Sequence, residues 1–466
     1  MSTPDRGRQF AREVVGKLQG AGFRALWAGG CVRDLMLGMT PADYDVATGA
    51  SPEQVIALFG RRTVPVGVSF GVVRVLGPHG TGVEVEVATF RSDGAYVDGR
   101  RPESVTFGSP ELDAARRDFT INGMFLDPFT DEVIDYVGGR ADLRDRILRA
   151  IGDPAARFRE DKLRLLRAVR FAARFEMDIE PGTRSALRAM ADQVAQVAAE
   201  RIAQELRKML IDDHRAEAMR LAFDDGLIAA VLPPVALLSG VSHDGPSRPD
   251  EDLWAHTLAV LRHLPERTSF PLAFAALLHD VGEPSTHRAL KSQSEHLPGQ
   301  KEAARRMTEQ FCRQLKLSNG ERDRVTWLVV SHRALDRAST LRDSELKRIL
   351  AHPGIDELLA LHRAIALVDS GEARQADYCD AYLRDQPAGP IDPPPLVTGD
   401  DLIRHGIRPG RHFSRLLEQV RDAQLDRVVS SKEQALTWLD ILQDSVREQA
   451  SSSQPDRSSS VLDDRA

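Results

Sequence analysis

Cysteine is scarce: Cys31, Cys312 and Cys379 are the only three in 466 residues, and they lie far apart. That spacing excludes a disulfide scaffold and any Cys-x-x-Cys zinc site, and it suits a reducing compartment. Long apolar runs are missing too. No stretch of about 18 apolar residues occurs, so no membrane partner is expected. The opening MSTPDRGRQFAREVVGKLQG has no apolar h-region, which argues against a secretory signal and for a cytoplasmic location. G-x-G-x-x-G and a Walker lysine are both absent, so the dinucleotide-fold and P-loop readings fail. No internal repeat of fixed period is found. Positive charge is in deficit overall, at a net −7. Taken alone this argues weakly against nucleic-acid binding, but an average hides local patches.

The composition is otherwise ordinary, at 42% hydrophobic and 28% charged, enough for a normal core. The length predicts about two to four domains. Residues 1–150 mix helix and strand signals. RQFAREVVGKLQGAG reads as an amphipathic helix, FRALWAGG as a strand entering a glycine turn, and VRDLMLG as a second helix. ADYDVAT, GVVRVLG and GVEVEVATF read as strands, the last alternating at Val83, Val85 and Val87. From Pro154 the pattern is helical almost to the end, and ARFREDKLRLLRAVRFAARF reads as one helix. Breaks are expected near 239–252 and 385–401, the latter with five prolines between Pro387 and Pro395. The last sixteen residues, with six serines, read as disordered. The division expected is 1–150, 151–240, 241–385, 386–450 and a disordered 451–466.

Chemistry concentrates in LWAGGCVRDLMLGMTPADYDVAT (26–48). Gly29 and Gly30 lie between a strand and a helix, where backbone N–H groups can meet an anion. Arg33 stands within the first turn, in reach of a phosphate. Asp43 and Asp45 are two apart on strand-like text, so their carboxylates share a face. Like charges placed so are costly without a cation between them, and oxygen-only ligands suit Mg²⁺. Glu84 and Glu86 share the polar face of the alternating strand. Of the two, Glu86 is the candidate third acid.

A local positive stretch follows. Between Arg140 and Arg174 eleven lysines and arginines stand against five acids. Arg164, Arg167, Arg170 and Arg174 fall on one helical face. Asp161, three before Arg164, is expected on that same face. An Asp beside an Arg offers an acceptor and donors, a pattern that matches the Watson–Crick edge of a base. The plainer alternative is a solvated helix with a Glu160–Arg164 pair.

GGCVRD with Asp43-Tyr44-Asp45, then VEVATFR, RRDFTIN and EDKLR, in this order, resemble the motifs of the class II tRNA nucleotidyltransferase and poly(A) polymerase family. The resemblance runs from about residue 20 to 175 and extends more loosely to about 450. It implies an α+β fold: a polymerase-beta-like nucleotidyltransferase head, then an all-α neck, an HD-type body and a tail. It implies Asp43 and Asp45 as Mg²⁺ ligands and Glu86 as a third acidic position. Gly29, Gly30, Arg33 and Arg117 would contact the nucleotide. Asp161 and Arg164 would read the base of CTP or ATP, with Arg167 and Arg170 nearby. The implied reaction is template-independent addition of CCA to the 3′ end of tRNA.

LWAHTLAVLRHL and LAFAALLHDVGEP place His256, His279 and Asp280 in helical text, with His332 and Asp369 later. This resembles an HD metal-dependent phosphohydrolase and makes the trio a second candidate metal site. The pattern departs from that group at Glu283, where a lysine is usual, and at 295–307, which carries only His296 in place of a close histidine pair. The region is therefore read mainly as a structural body. Two alternatives stay open: a poly(A) polymerase or A-only adding enzyme, and an HD phosphohydrolase with an RNA-binding N-terminal region. The segment RRTVPVGVSFGVVRV (61–75) looks more like the CCA-adding type. Residues 180–240 and the tail are the candidates for tRNA contact.

Overall fold

The structure, a computed structural model, describes residues 3–67, 70–94, 104–242, 252–283, 300–386, 390–410 and 412–441. The expected disordered end at 451–466, His296, and most of the break at 239–252 lie outside the described residues. The chain falls into two compact units, Met1–Val329 and Val330–Ala466.

The first unit opens with helix α1 (Thr3–Gly20), whose Phe10, Ala11, Val14, Val15 and Leu18 are buried along one stripe. A seven-stranded sheet follows, in the order β3-β4-β5-β2-β1-β8-β9. Its strands are β1 (Ala25–Ala28), β2 (Asp45–Thr48), β3 (Thr63–Gly67), β4 (Val72–Leu76), β5 (Glu84–Thr89), β8 (Met124–Leu126) and β9 (Val133–Asp135). Strands β6 (Arg91–Asp93) and β7 (Val105–Phe107) form a separate antiparallel pair. Only β2 and β5 run parallel within the large sheet; its other pairs are antiparallel. Pro65 sits on β3, the edge strand, where its missing N–H costs no central ladder bond. On β5 the alternation puts Val85 and Val87 in the core and Glu84 and Glu86 outside.

Helix α2 (Gly30–Met36) leaves β1 through the glycine turn, and α3 (Pro52–Phe59) follows β2 under a Ser51 capping box. Helices α4 (Pro110–Ala115) and α5 (Gly139–Arg144) flank β8 and β9. The short strands β10 (Ile147–Leu148) and β11 (Asp178–Ile179) pair in parallel across the start of the helical region. Between them lie α6 (Pro154–Glu160) and α7 (Leu163–Arg174), then α8 (Pro181–Ala189), α9 (Ala199–Leu210) and α10 (Arg215–Asp224).

The single long helix expected over 156–175 is therefore two. Asp161 interrupts it in an extended conformation, φ −147° and ψ 104°. Its carboxylate accepts the backbone N–H of Leu163 at 3.1 Å, a local bond that competes with helix continuation. The i,i+3 argument placing Asp161 on the arginine face does not apply, because Asp161 is outside both helices.

Helix α7 is buried on nearly all sides. Leu165, Leu166, Ala168, Val169, Phe171, Ala172 and Ala173 lie in the core, and Arg164 and Arg170 are buried beside them. The remaining labelled helices of this unit include α11 (Leu227–Val231), α12 (Pro233–Ala236), α13 (Leu253–His263) and α14 (Phe270–Leu278). In the second unit, helices over Asp343–Leu350, Ile355–Ser370, Arg374–Arg384, Gly399–Arg404 and Phe413–Leu425 are described. One core there gathers Val397, Leu402, Leu416, Val420, Ala423, Val429, Ala435 and Leu439. No described helix is long and apolar enough to cross a membrane.

Candidate active site

The site begins at the turn between β1 and α2. Gly29 holds φ 74°, a left-handed conformation that side chains resist. A Cβ there would stand 2.6 Å from Arg117 Nη1, so the backbone angle calls for glycine and any side chain would displace that guanidinium. Directly beside this turn, Ala28 pairs with Asp45, the first residue of β2. Asp43 precedes the strand instead of lying on it. Tyr44, between the acids, is buried and packs on Trp27 with ring centroids 4.8 Å apart. Asp43 and Asp45 on either side of it are exposed as residues, although the Asp45 carboxyl itself is crowded by protein.

The third acid comes from the neighbouring strand. The parallel register Val46↔Val87 brings β5 alongside β2, and Glu86 pairs with Arg74 of β4. Arg74 is shared between Glu84 at 3.4 Å and Glu86 at 3.3 Å. Asp45 feels this company. Crowding by protein strips water from its carboxyl, and the charges of Asp43 and Glu86 add to that; Arg117 opposes them, and the group is pushed up to about 6. A divalent cation would relieve the repulsion, and the donors are oxygen only, so the residues present fit such an ion. The group is loose, however. Among the described residues the one trio with ligand atoms within 4.8 Å of each other is His256, His279 and Asp280.

The cations beside the turn are held in a network that reaches α7. Arg33 is buried. Its guanidinium donates to Asp34 Oδ1 at 2.8 and 2.6 Å and to Asn122 Oδ1 at 2.6 Å. It also lies over the rings of Phe175 and Phe171, at 4.4 and 5.2 Å. Arg117 donates to Asp113 Oδ2 at 2.9 Å and to the Asn122 carbonyl at 3.2 Å. Asn122 in turn donates to Asp118 at 3.0 Å, and Arg167 grips Asp118 Oδ2 with two N–H bonds of 2.8 and 2.5 Å. Burial alone would raise the Asp118 carboxyl. The Arg167 charge and these hydrogen bonds reverse that and hold it well below the ordinary range.

The basic face of α7 is internally paired. Arg164 meets Glu160 at 2.6 Å, Arg167 meets Asp118, Arg170 meets Glu205 at 2.6 Å, and Arg174 lies 3.7 Å from Asp212. The i,i+4 pair Glu160–Arg164 exists, but in a half-buried setting rather than on a solvated face. Asp161 and Arg164, expected to act side by side, hold different partners. The carboxylate of Asp161 is gripped by Arg201 of α9, through bonds of 3.1 and 2.7 Å. The sequence reading did not single out Asp113, Asp118, Asn122, Arg201 or Glu205. The first three lie in or beside the RRDFTIN text, where attention fell on Arg117 alone. The last two belong to α9, whose charges carry no local signal of a partner some forty residues away.

The second candidate site is gathered in space. His256 on α13 and His279 and Asp280 at the end of α14 are all 3% exposed. Asp280 Oδ2 lies 2.9 Å from His279 Nε2 and 3.8 Å from His256 Nε2. Burial works against a charged His279, but Asp280 outweighs it and pushes the imidazole pKa up. His332 and Asp369 fall in the other compact unit.

Comparison with known proteins places these features. Residues 25–149 match the Poly A polymerase head domain, residues 176–238 the probable RNA and SrmB-binding site of polymerase A, and residues 253–382 the HD domain. A CCA-adding enzyme of Leuconostoc mesenteroides is 44% identical over 216 residues, 46% of this chain and 53% of its own. One from Geobacillus thermodenitrificans is 42% identical over 229 residues, 49% of this chain and 55% of its own. The matched segment thus spans about half the length of these curated relatives. The crystal structure of the Bacillus stearothermophilus CCA-adding enzyme in complex with CTP is similar over 97% of this chain and 100% of that one. Its TM-score is 0.72 and its identity 27%.

Proposed function

We propose that the chain, which is similar to CCA-adding enzymes and to the Poly A polymerase head domain, adds CCA, from CTP and ATP, to the 3′ end of tRNA without a nucleic-acid template. The observation that carries this reading is the acid group beside the glycine turn. Asp43 and Asp45 stand together at Gly29–Gly30, with Glu86 near enough to raise the pKa of Asp45.

Asp43 and Asp45 would hold Mg²⁺, with Glu86 as the third acid. A divalent ion bound there supplies neutralisation of triphosphate charge and makes the RNA 3′-hydroxyl more acidic. The Gly29 N–H donates to the Met124 carbonyl, so of this turn it is the Gly30 backbone N–H that would meet the phosphates, with Arg117 and Arg33 packed beside the turn. The 3′-oxygen attacks the α-phosphorus in line, and the bond to pyrophosphate breaks. Positioning and charge supply most of the acceleration. Cytosine and adenine both offer an exocyclic amino donor beside a ring-nitrogen acceptor. Asp161 as acceptor and Arg164 as donor fit that pair, while uracil and guanine would leave both groups opposed. Arg167 and Arg170 support this face from inside α7.

In this reading residues 1–150 are the head, 151–240 the neck with nucleotide and RNA helices, 241–385 the HD-type body and 386–450 the tail, working in the cytoplasm. Residues 180–240 overlap the stretch similar to an RNA-binding region and would contact tRNA. The test is incubation with a tRNA lacking its 3′ end and each NTP singly. Incorporation of C, then of A, supports the reading; A alone would favour the A-only or poly(A) alternative.

A second reading rests on one observation, the buried trio His256, His279 and Asp280, which could hold a metal for phosphoester hydrolysis. Phosphatase activity that survives Asp45→Ala and disappears in Asp280→Ala would support it.

A further inference from the structure

The carboxylate of Asp161 takes its geometry from a distant part of the chain. It sits at the joint between α6 and α7, outside both helices, with its backbone extended. One carboxylate oxygen accepts the Leu163 N–H, and that alone leaves the side chain free to turn about its last bond. Arg201, on the first turn of α9, closes that freedom. Its Nη1 donates to Asp161 Oδ1 at 3.1 Å and its Nη2 to Oδ2 at 2.7 Å, so both oxygens are engaged by one planar fork. The two side chains are 19% and 16% exposed, enough shielding to give the pair a defined geometry and enough opening for a ligand to reach the carboxylate edge. Arg201 is itself anchored, its backbone N–H donating to the Ala198 carbonyl at 2.9 Å.

We propose that Arg201 is a positioning residue for nucleobase selection: by gripping Asp161 with two parallel N–H bonds it fixes the angle at which that carboxylate meets the amino group of cytosine or adenine. This rests on the reading of Asp161 as a base-contacting residue. The physical argument is directional. A bidentate guanidinium–carboxylate pair fixes the plane of the carboxylate, and the remaining lone pairs then point along fixed lines. A lysine holds a carboxylate as a point charge and leaves that plane free to rotate. Discrimination between an amino and a carbonyl group depends on that direction, because the wrong base must meet an acceptor it cannot bond. Arg164 cannot supply the orientation, since it is committed to Glu160 and to the Arg157 carbonyl.

The test uses the full chain with a tRNA lacking its 3′ end. Single-turnover incorporation of C and of U is measured for the parent, Arg201→Lys, Arg201→Gln and Asp161→Ala, with thermal melting of each. In Arg201→Gln the ratio of kcat/KM for CTP over UTP is expected to fall about tenfold or more, the scale of one oriented polar contact. Most of the fall should lie in the KM for CTP. Arg201→Lys should melt like the parent and still lose part of the ratio, an outcome a merely structural salt bridge does not give. A parental ratio in Arg201→Lys and Arg201→Gln, alongside a collapsed ratio in Asp161→Ala, overturns the inference and leaves the base-reading role intact. A parental ratio in Asp161→Ala overturns that role, and this inference with it. If Arg201→Gln does not fold, Arg201→Lys decides alone: a lowered ratio supports the proposal and an unchanged one overturns it.

Discussion

Asp118 is where the glycine turn is tied to the helical region, and its removal is a quantitative test of that tie. The carboxylate is 8% exposed and accepts four N–H bonds: two from Arg167, one from Asn122 and one from the Phe119 backbone. Asp118→Ala leaves the half-buried Arg167 guanidinium without its anion and frees Asn122, which steadies Arg33. Breaking a buried pair on one side costs about 3–5 kcal/mol. For a unit of this size that is roughly 4–7 °C in melting temperature. Arg167→Met removes the orphaned charge, so the double variant should be less destabilised than the two single losses added together. The pH dependence has a definite sign. The folded-state pKa of Asp118 is depressed, so its contribution is present above the unfolded value of about 4 and is lost as pH falls toward the folded value. Urea unfolding of parent and variant should therefore differ widely at pH 7 and converge below pH 4. A loss under about 1 kcal/mol at pH 7, or a gap that persists undiminished at pH 3, would refute the reasoning.

Other expectations follow from the same geometry. Asp45→Ala should reduce nucleotide addition by about 10³-fold or more while leaving the circular dichroism spectrum unchanged. Divalent-ion affinity, measured by titration calorimetry, should rise with pH through about 6, because a protonated Asp45 is not a ligand. Since the folded pKa of Asp45 is raised, ionising it costs stability without metal; Asp45→Asn should melt higher than the parent in chelator at pH 7. Gly29→Ala should cost about 1–3 kcal/mol from its positive φ, and should also impair addition by displacing Arg117, visible as a raised KM for CTP.

Much of the head was legible because its signals are local. Alternation at Val85 and Val87, the glycine turn, and the apolar stripe of α1 each depend on neighbours within a few residues. Asp43 and Asp45 were legible for the same reason, although the strand starts only at Asp45. The long-range pairings were not. The positive stretch is net basic in sequence, yet α7 spends its arginines on Asp118, Glu205 and Asp212, acids drawn from other elements. A helix buried on nearly all sides cannot leave guanidiniums unpaired, but sequence periodicity sees one face at a time. The break at Asp161 escaped for a related reason: both flanking segments are good helix text, and the interruption is stabilised from α9.

The seating of Arg33 over Phe175 and Phe171 carries a mechanical consequence. A residue from the glycine-turn helix packs on the helix that follows Asp161, so the acids and the joint proposed to face the base share one support. If both act on the same nucleotide, their spacing behaves as a fixed calliper.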